Sequence, residues 1–540
     1  MTTDSHARRA ALPTDLDPHA DVVVVGAGIT GLSTAIMLLD AGRSVTVIEQ
    51  DVPGALASGR NTGKASLLQG ARLSTIRRNH PARLVRAYVD ANRAGQQWLR
   101  RACERADVPF RTTTAYSYAQ TADGLVSVAA EADAAREAGL PVRRPAEPDE
   151  DVPFPFAGAV ALDGQLALHP PELMRGLAAL VEAAGGRLVS GVRALGVRAS
   201  DPVVVRTSAG EFTANQVVIA TGAPMLDRGL YWAKTSGFRS MLAAFDLPAG
   251  GQDGPDGLYL SVDDPSRSIR THRHADGSHL IVGGGDHRTG REDATDVLRA
   301  ELVGWARAWW PDLDAPEVWA AQDYESHNTV PFVGRMPRGR GRVWFATGYA
   351  KWGLTNGTAA GIRIAHEILG ARRPDWARII GSRMTVPADL VRGAVEGARV
   401  GAAAVQGWVG ALRAPEPGAR VPDGAAARSA APAAAAVAGV PAATVGAGAS
   451  AGALPGSVVP DAATPPEGVG VVMRRGLRPT GVSTVGGETC AVSAVCPHLG
   501  GILNWNDAEA TWDCPLHASR FDHRGRRIEG PAVSDLARLD

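Results

Sequence analysis

Asp21-Val22-Val23-Val24-Val25-Gly26-Ala27-Gly28-Ile29-Thr30-Gly31 opens the first folded part of the chain and decides how it folds. Four consecutive valines read as a strand buried on both faces. Gly26, Gly28 and Gly31 follow at G-x-G-x-x-G spacing, and LSTAIMLLDAG continues as a helix. Glycine permits a tight turn with close backbone approach, and the helix N-terminus turns its N–H groups toward a pyrophosphate. A second strand, 44–48, ends in Glu49, twenty-one residues after Gly28, where a carboxylate takes ribose hydroxyls. Strand, turn, helix, strand and acid together predict a Rossmann-type α/β domain that binds a dinucleotide.

The other end of the chain carries a different signature. Cys496-Pro497-His498 is followed, fifteen residues later, by Cys514-Pro515-Leu516-His517. Two cysteines and two histidines in matched loops suit either a tetrahedral zinc ion or a Rieske 2Fe–2S cluster. Zinc fingers usually pair Cys with Cys and His with His; here each loop gives one of each. That suits a cluster in which one iron takes both thiolates and the other both imidazoles. CPHLGG, TWDCPLH, ASRFDHRGRRIEGPA and the third-loop Pro531 resemble the all-β Rieske domain family. Respiratory-type members add a disulfide between the loops; Gly501 and Leu516 stand at those positions and cannot form it. The resemblance also implies a sulfur-directed hydroxyl at Ser519, whereas Phe521 replaces a tyrosine. Fewer donors to sulfur imply a reduction potential in the lower half of the Rieske range.

Between the two parts, residues 413–467 are rich in Ala, Pro and Gly and show neither helical nor strand period. Ser429–Pro460 carries no charge, but four prolines interrupt it, so a semi-flexible linker is expected rather than a membrane span. Residues 386–412 have helical spacing and predict one helix, and residues 1–20 read as disordered. Basic and acidic residues balance at 56 each among 540, which leaves no field for nucleic acid or an anionic membrane. Four cysteines exclude a disulfide scaffold, and the N-terminal residues show no signal peptide. A cytoplasmic protein is expected.

Two further segments choose the nucleotide. A strand at Val217–Ala220 ends in Ala220-Thr221-Gly222, and VWFATGYAKWGLTNGTAA at 343–360 is strand, Gly-rich loop and helix. With NTGKASLLQG, GLYWAKTSGFRS and RSIRTH, they resemble the D-amino-acid oxidase and glycine oxidase superfamily of FAD enzymes, here fused to a Rieske domain. The resemblance covers about residues 20–385 and 468–540. It implies FAD contacts at Thr62, Gly63, Lys64, Val192, Thr221, Gly222, Gly348, Trp352, Gly353, Thr355 and Asn356, besides Gly26, Gly28, Gly31 and Glu49. It also implies cluster ligation by Cys496, His498, Cys514 and His517, and an inserted mixed substrate sheet over about 225–335. LIVGGGDHRTG at 280–290 mimics a second nucleotide loop, but a helix follows instead of a strand ending in an acid. It is therefore expected to be the end of a substrate-domain strand.

Only three of the 56 basic residues are lysines, Lys64, Lys234 and Lys351, and all fall inside the motif segments. Lys64 and Lys351 are expected beside the flavin, as cations that stabilise its reduced form. Arg270 and His272 share one face of a strand, where an arginine suits a substrate carboxylate and a solvated strand face is the alternative. His287, His327 and Trp352 are lesser candidates for the pocket. The implied reaction takes two electrons from a small amine or amino acid to FAD and onward, singly, through the cluster. The imidazole edges of His498 and His517, expected to face solvent, would deliver them to an acceptor protein or quinone. An NAD(P)H-dependent reductase feeding an oxygenase and a non-catalytic redox sensor are the rival readings.

Overall fold

A computed structural model describes residues 18–145, 147–248, 252–274, 277–382, 387–414 and 464–539. Residues 1–17 of the expected disordered N-terminus and nearly all of the 413–467 linker lie outside the described residues, whereas His19 and Ala20, expected disordered, already belong to a strand.

The valine run forms the central strand His19–Val25 of an eight-stranded sheet. It pairs in parallel with Val45–Ile48 on one side and Gly210–Ile219 on the other. Val22, Val23 and Val24 are at most 1% exposed, as expected of a strand covered on both faces. The helix Ile29–Asp40 lies over one face and packs on a second helix, Gly353–Ile368. Gly357 and Gly361 allow that contact: a Cβ at Gly361 would stand 2.5 Å from Ser33 Oγ, and one at Gly357 2.8 Å from Thr30 Oγ1.

A second, mixed sheet of eight strands carries the opposite wall of the site. Its order is Glu317–Ser326, Thr235–Asp246, Gly277–Arg288, Ser268–His274, Leu258–Ser261, Phe110–Ala119, Gly158–Leu168 and Lys64–Ala65. The substrate sheet expected over 225–335 therefore also takes three strands from earlier in the chain. The 280–290 segment is the interior strand Gly277–Arg288, antiparallel to both neighbours, and not a nucleotide loop.

The C-terminal part is a three-stranded sheet over Gly470–Ser493 and a four-stranded sheet over Asn504–Glu529, both antiparallel. Trp512 and Phe521, both fully buried, centre its core. The helix expected at 386–412 spans Pro387–Arg413 and joins the two parts along their seam. Its Arg392 donates to His327 O at 2.7 Å, and its Trp408 Nε1 donates to Gly500 O at 3.0 Å.

The parts dock through buried charge. Arg239, 1% exposed, pairs with Glu509 at 2.5 Å and Glu529 at 3.2 Å, and Arg520 joins the same carboxylates. Such a network is expensive to break because the remaining charges stay buried without partners.

Candidate functional site

One long cavity runs from the first sheet's nucleotide turn to the second sheet. At its nucleotide end stand Gly26, Gly28, Glu49 and Val192. Gly26 has φ +103°, and a Cβ there would lie 2.6 Å from Ala220 O, so the turn needs glycine. Gly28 opens the helix, whose Ile29 N–H donates to Ser58 Oγ at 3.0 Å. Glu49 accepts from Ala27 N at 2.7 Å and Asp51 N at 3.0 Å, which fixes its carboxylate at the strand end. Burial raises its pKa.

Farther along, Thr62, Lys64, Thr221, Gly222, Trp352 and Gly353 line the same cavity, as does Lys351. Gly31, Gly63, Gly348, Thr355 and Asn356 stand behind the wall. A Cβ on Gly31 would meet Gly26 O at 1.9 Å, so this glycine serves the packing of helix on strand. Thr355 donates to Asn92 Oδ1 at 2.5 Å and Asn356 to the Tyr88 hydroxyl at 3.0 Å, holding the helix they begin.

The two cavity lysines differ. Lys64 is buried, with its Nζ donating to Tyr259 O at 2.5 Å and Ser268 Oγ at 2.7 Å. Burial, with Arg270 nearby, holds its amine well below the usual lysine range. Lys351 lies half-exposed at the cavity wall: its Nζ pairs with Asp286, which also accepts from Ser240 Oγ at 2.6 Å. Burial works to raise the Asp286 carboxyl, but Lys351 and Ser240 hold it below the usual range. The Lys351 backbone N–H bonds Asp323, and Lys351 itself sits at φ +72°. Burial pushes Asp323 up to about 6 against its N–H donors from Tyr324 and Lys351. Asp286, Asp323 and Tyr324 were not anticipated; they sit inside strands whose pairing brings them to the wall.

Arg270 and His272 do not themselves line the cavity, although Ser268 on the same strand does. Arg270 is 1% exposed, and none of its guanidinium nitrogens has a hydrogen-bond partner. His272 stacks on His169 at 4.7 Å. His287 Nδ1 donates to its own strand's Gly285 O at 2.8 Å, and His327 meets Ser236 Oγ at 3.1 Å; neither lines the cavity. Lys234 lies over the Tyr231 ring at 5.1 Å.

In the C-terminal part the four expected ligands come together from two loops. Cys496 and Cys514 are buried side by side, and N–H groups of His498 and Leu499 point at the first sulfur. The Ser519 hydroxyl also reaches Cys496, and the Ser519 oxygen accepts from Ala532 N at 3.1 Å. The His498 and His517 rings lie 5.2 Å apart. Burial, then His498 and Arg291, push His517 down to about 3, so its imidazole is neutral; its Nδ1 is buried with no partner. A neutral ring with an orphaned nitrogen beside two thiols fits iron ligation. Cys496 lies against Cys514 and His498 against His517, the like-with-like pairing that a two-iron cluster needs. A Cβ on Gly501 would lie 2.7 Å from Leu516 Cδ1, so leucine fills the space where related domains have a disulfide.

The expected solvent-facing imidazoles require correction. The Trp232 ring covers both, at 4.5 Å from His517 and 5.5 Å from His498, and Asp227 approaches His498 Nε2 at 3.4 Å. The His498 side chain is only 6% exposed. The cluster loops face the first part of the chain because Arg291 donates to Pro515 O at 2.7 Å and Asn504 to Gly290 O at 2.8 Å.

Comparison with known proteins agrees with this architecture. The family of FAD dependent oxidoreductases (DAO) matches residues 21–367, and the Rieske [2Fe-2S] domain matches residues 462–540. YhfW of Bacillus subtilis (strain 168), whose name describes a Rieske 2Fe-2S iron-sulfur protein, is 25% identical over 97% of this chain and 94% of its own. Gamma-glutamylputrescine oxidoreductase of Escherichia coli (strain K12) is 24% identical over 65% of this chain and 84% of its own. Glycine oxidase from Geobacillus kaustophilus shares the fold at a TM-score of 0.56 and 18% identity, over 68% of this chain and all of its own. No helix among the described residues is long and apolar enough to cross a membrane. The chain belongs to the family of FAD-dependent oxidoreductases and carries a C-terminal Rieske domain, which bind FAD and a 2Fe–2S cluster respectively.

Proposed function

We propose that this enzyme oxidises a small amine or amino-acid-like substrate at FAD and passes the electrons to its own Rieske cluster, which delivers them to a protein or quinone acceptor. One observation carries the reading. Tyr324 lines the FAD cavity and packs on Ala518, the residue after ligand His517. Beside it, Gln322 Nε2 donates to Ala518 O at 2.9 Å and to the Tyr324 hydroxyl at 2.8 Å. A single layer of side chains thus separates the two redox sites. Bound FAD supplies acceptance of an electron pair, and the cluster supplies one-electron steps.

The chain's own residues define what can enter. Gly283 and Gly284 leave room on the substrate sheet, while Phe238, Leu242 and Leu260 make that wall apolar. The ionised Asp286 attracts an ammonium group, and its pair with Lys351 keeps the net charge near the flavin small. The similarity to an oxidoreductase named for γ-glutamylputrescine supports the same reading.

Anaerobic mixing with a panel of amines and amino acids, with NADH as a separate arm, tests this. Bleaching of the flavin band by an amine, followed by the cluster band, is expected. Bleaching of both by NADH alone would make the protein a reductase that feeds electrons outward.

A further inference from the structure

The third loop of the cluster domain crosses to the nucleotide end of the FAD cavity. Gln50, the residue after the ribose-directed Glu49, is gripped from the other domain on both ends of its amide. Its Nε2 donates to Ile528 O at 2.6 Å, and its Oε1 accepts from Arg527 Nη1 at 2.5 Å. Arg527 Nη2 donates to Gly530 O at 2.7 Å, which ties the latch to the loop's own backbone. On the far side of Val192, Arg193 pairs with Asp535 at 2.6 Å. Arg527, Glu529 and Gly530 then line the cavity together with Gln50, Val192 and Arg193.

Arg527 is unusually placed for a cation. Its Nε is buried without a hydrogen-bond partner; burial and then the neighbouring Arg193 disfavour its charge, and Tyr324, Glu529 and Asp535 offset them only in part. A buried guanidinium with an unsatisfied donor and a like charge beside it is unfavourable unless something acceptor-rich lies alongside. The nucleotide half of FAD is anionic and rich in acceptors, and this is the end of the cavity that receives it.

We propose that the cluster domain is a working part of the FAD site: Arg527, latched through Gln50, closes the cavity over the nucleotide end and retains the cofactor. Reciprocity then requires that FAD, in turn, holds the cluster domain docked. The coupling is separate from the direction of electron flow and stands whichever substrate reduces the flavin.

Release of FAD from the holoenzyme, followed as free-flavin fluorescence after dilution, tests the first half. Arg527→Ala is expected to speed release about tenfold, the change that loss of one charge-assisted hydrogen bond produces. The electron paramagnetic resonance signal of the reduced cluster should remain, which reports a folded domain. Unchanged release with that signal intact would overturn the proposal. Should the variant fail to fold, the wild-type protein tests the second half. Removing FAD by bromide dialysis is expected to speed amide hydrogen exchange in residues 526–535 about tenfold relative to the rest of the Rieske domain. Equal protection of that loop with and without FAD would overturn it.

Discussion

The two redox sites are built on opposite plans. The cluster takes all four ligands from residues 496–517, whereas the FAD cavity draws its wall from segments spread between Val25 and Val533. A site confined to two loops stands or falls with each ligand. A distributed site spreads its binding over many contacts, so single changes should cost it only in part. Substitutions at either site can break or sharpen that contrast.

The largest effect is expected from Cys514→Ser. It should abolish the cluster's reduced-state resonance signal while bound FAD, measured by its absorbance, stays near stoichiometric. Loss of both cofactors together would mean that the sites are not independent modules. Next comes Arg239→Ala at the seam, which leaves Glu509 and Glu529 to Arg520 alone in a buried interface. A loss of about 3–5 kcal/mol is expected in denaturant unfolding followed by the cluster signal.

Within the cavity, Lys351→Met should slow FAD reduction about ten- to hundredfold and lower the flavin potential, since it removes the lysine that pairs with Asp286 at the wall. Lys64→Met should leave the potential unchanged, because burial already disfavours its charge. Equal shifts from both lysines would refute the distinction between them. A pH effect follows from Asp323, whose carboxyl is pushed up to about 6 by burial. Below that pH it is mostly protonated and holds the Lys351 loop less well, so FAD reduction should slow as pH falls through about 6. Asp323→Asn should remove the inflection. The smallest effect concerns the cluster's own tuning. With Phe521 in place of a hydroxyl donor and no disulfide, its potential should lie in the lower half of the Rieske range, below about +75 mV in a redox titration.

How far the sequence could be read follows the same contrast. The nucleotide turn and the cluster loops are local, so their spacing alone points to the glycines, Glu49 and the four candidate ligands. Asp286 and Asp323 lie on strands separated by Thr235–Asp246, and nothing near either residue indicates that this pairing brings them to one wall. Arg270 illustrates a subtler limit. It shares its strand face with Ser268, which does line the cavity, but alternation gives the face and not the depth, and two residues span about 6.6 Å. The covered imidazoles of His498 and His517 depend on Trp232, more than 260 residues away, and therefore on docking that no local pattern encodes. The lysine scarcity did point to the cavity, yet only burial separates the roles of Lys64 and Lys351.

Deazaflavin-sensitised photoreduction of the FAD, followed at the cluster's absorbance band, tests the link between the two sites most directly because it needs no substrate. Electron arrival at the cluster should be first order, at a rate independent of protein concentration. A rate proportional to concentration, or a reduced flavin beside a cluster that stays oxidised, would contradict transfer within the docked molecule.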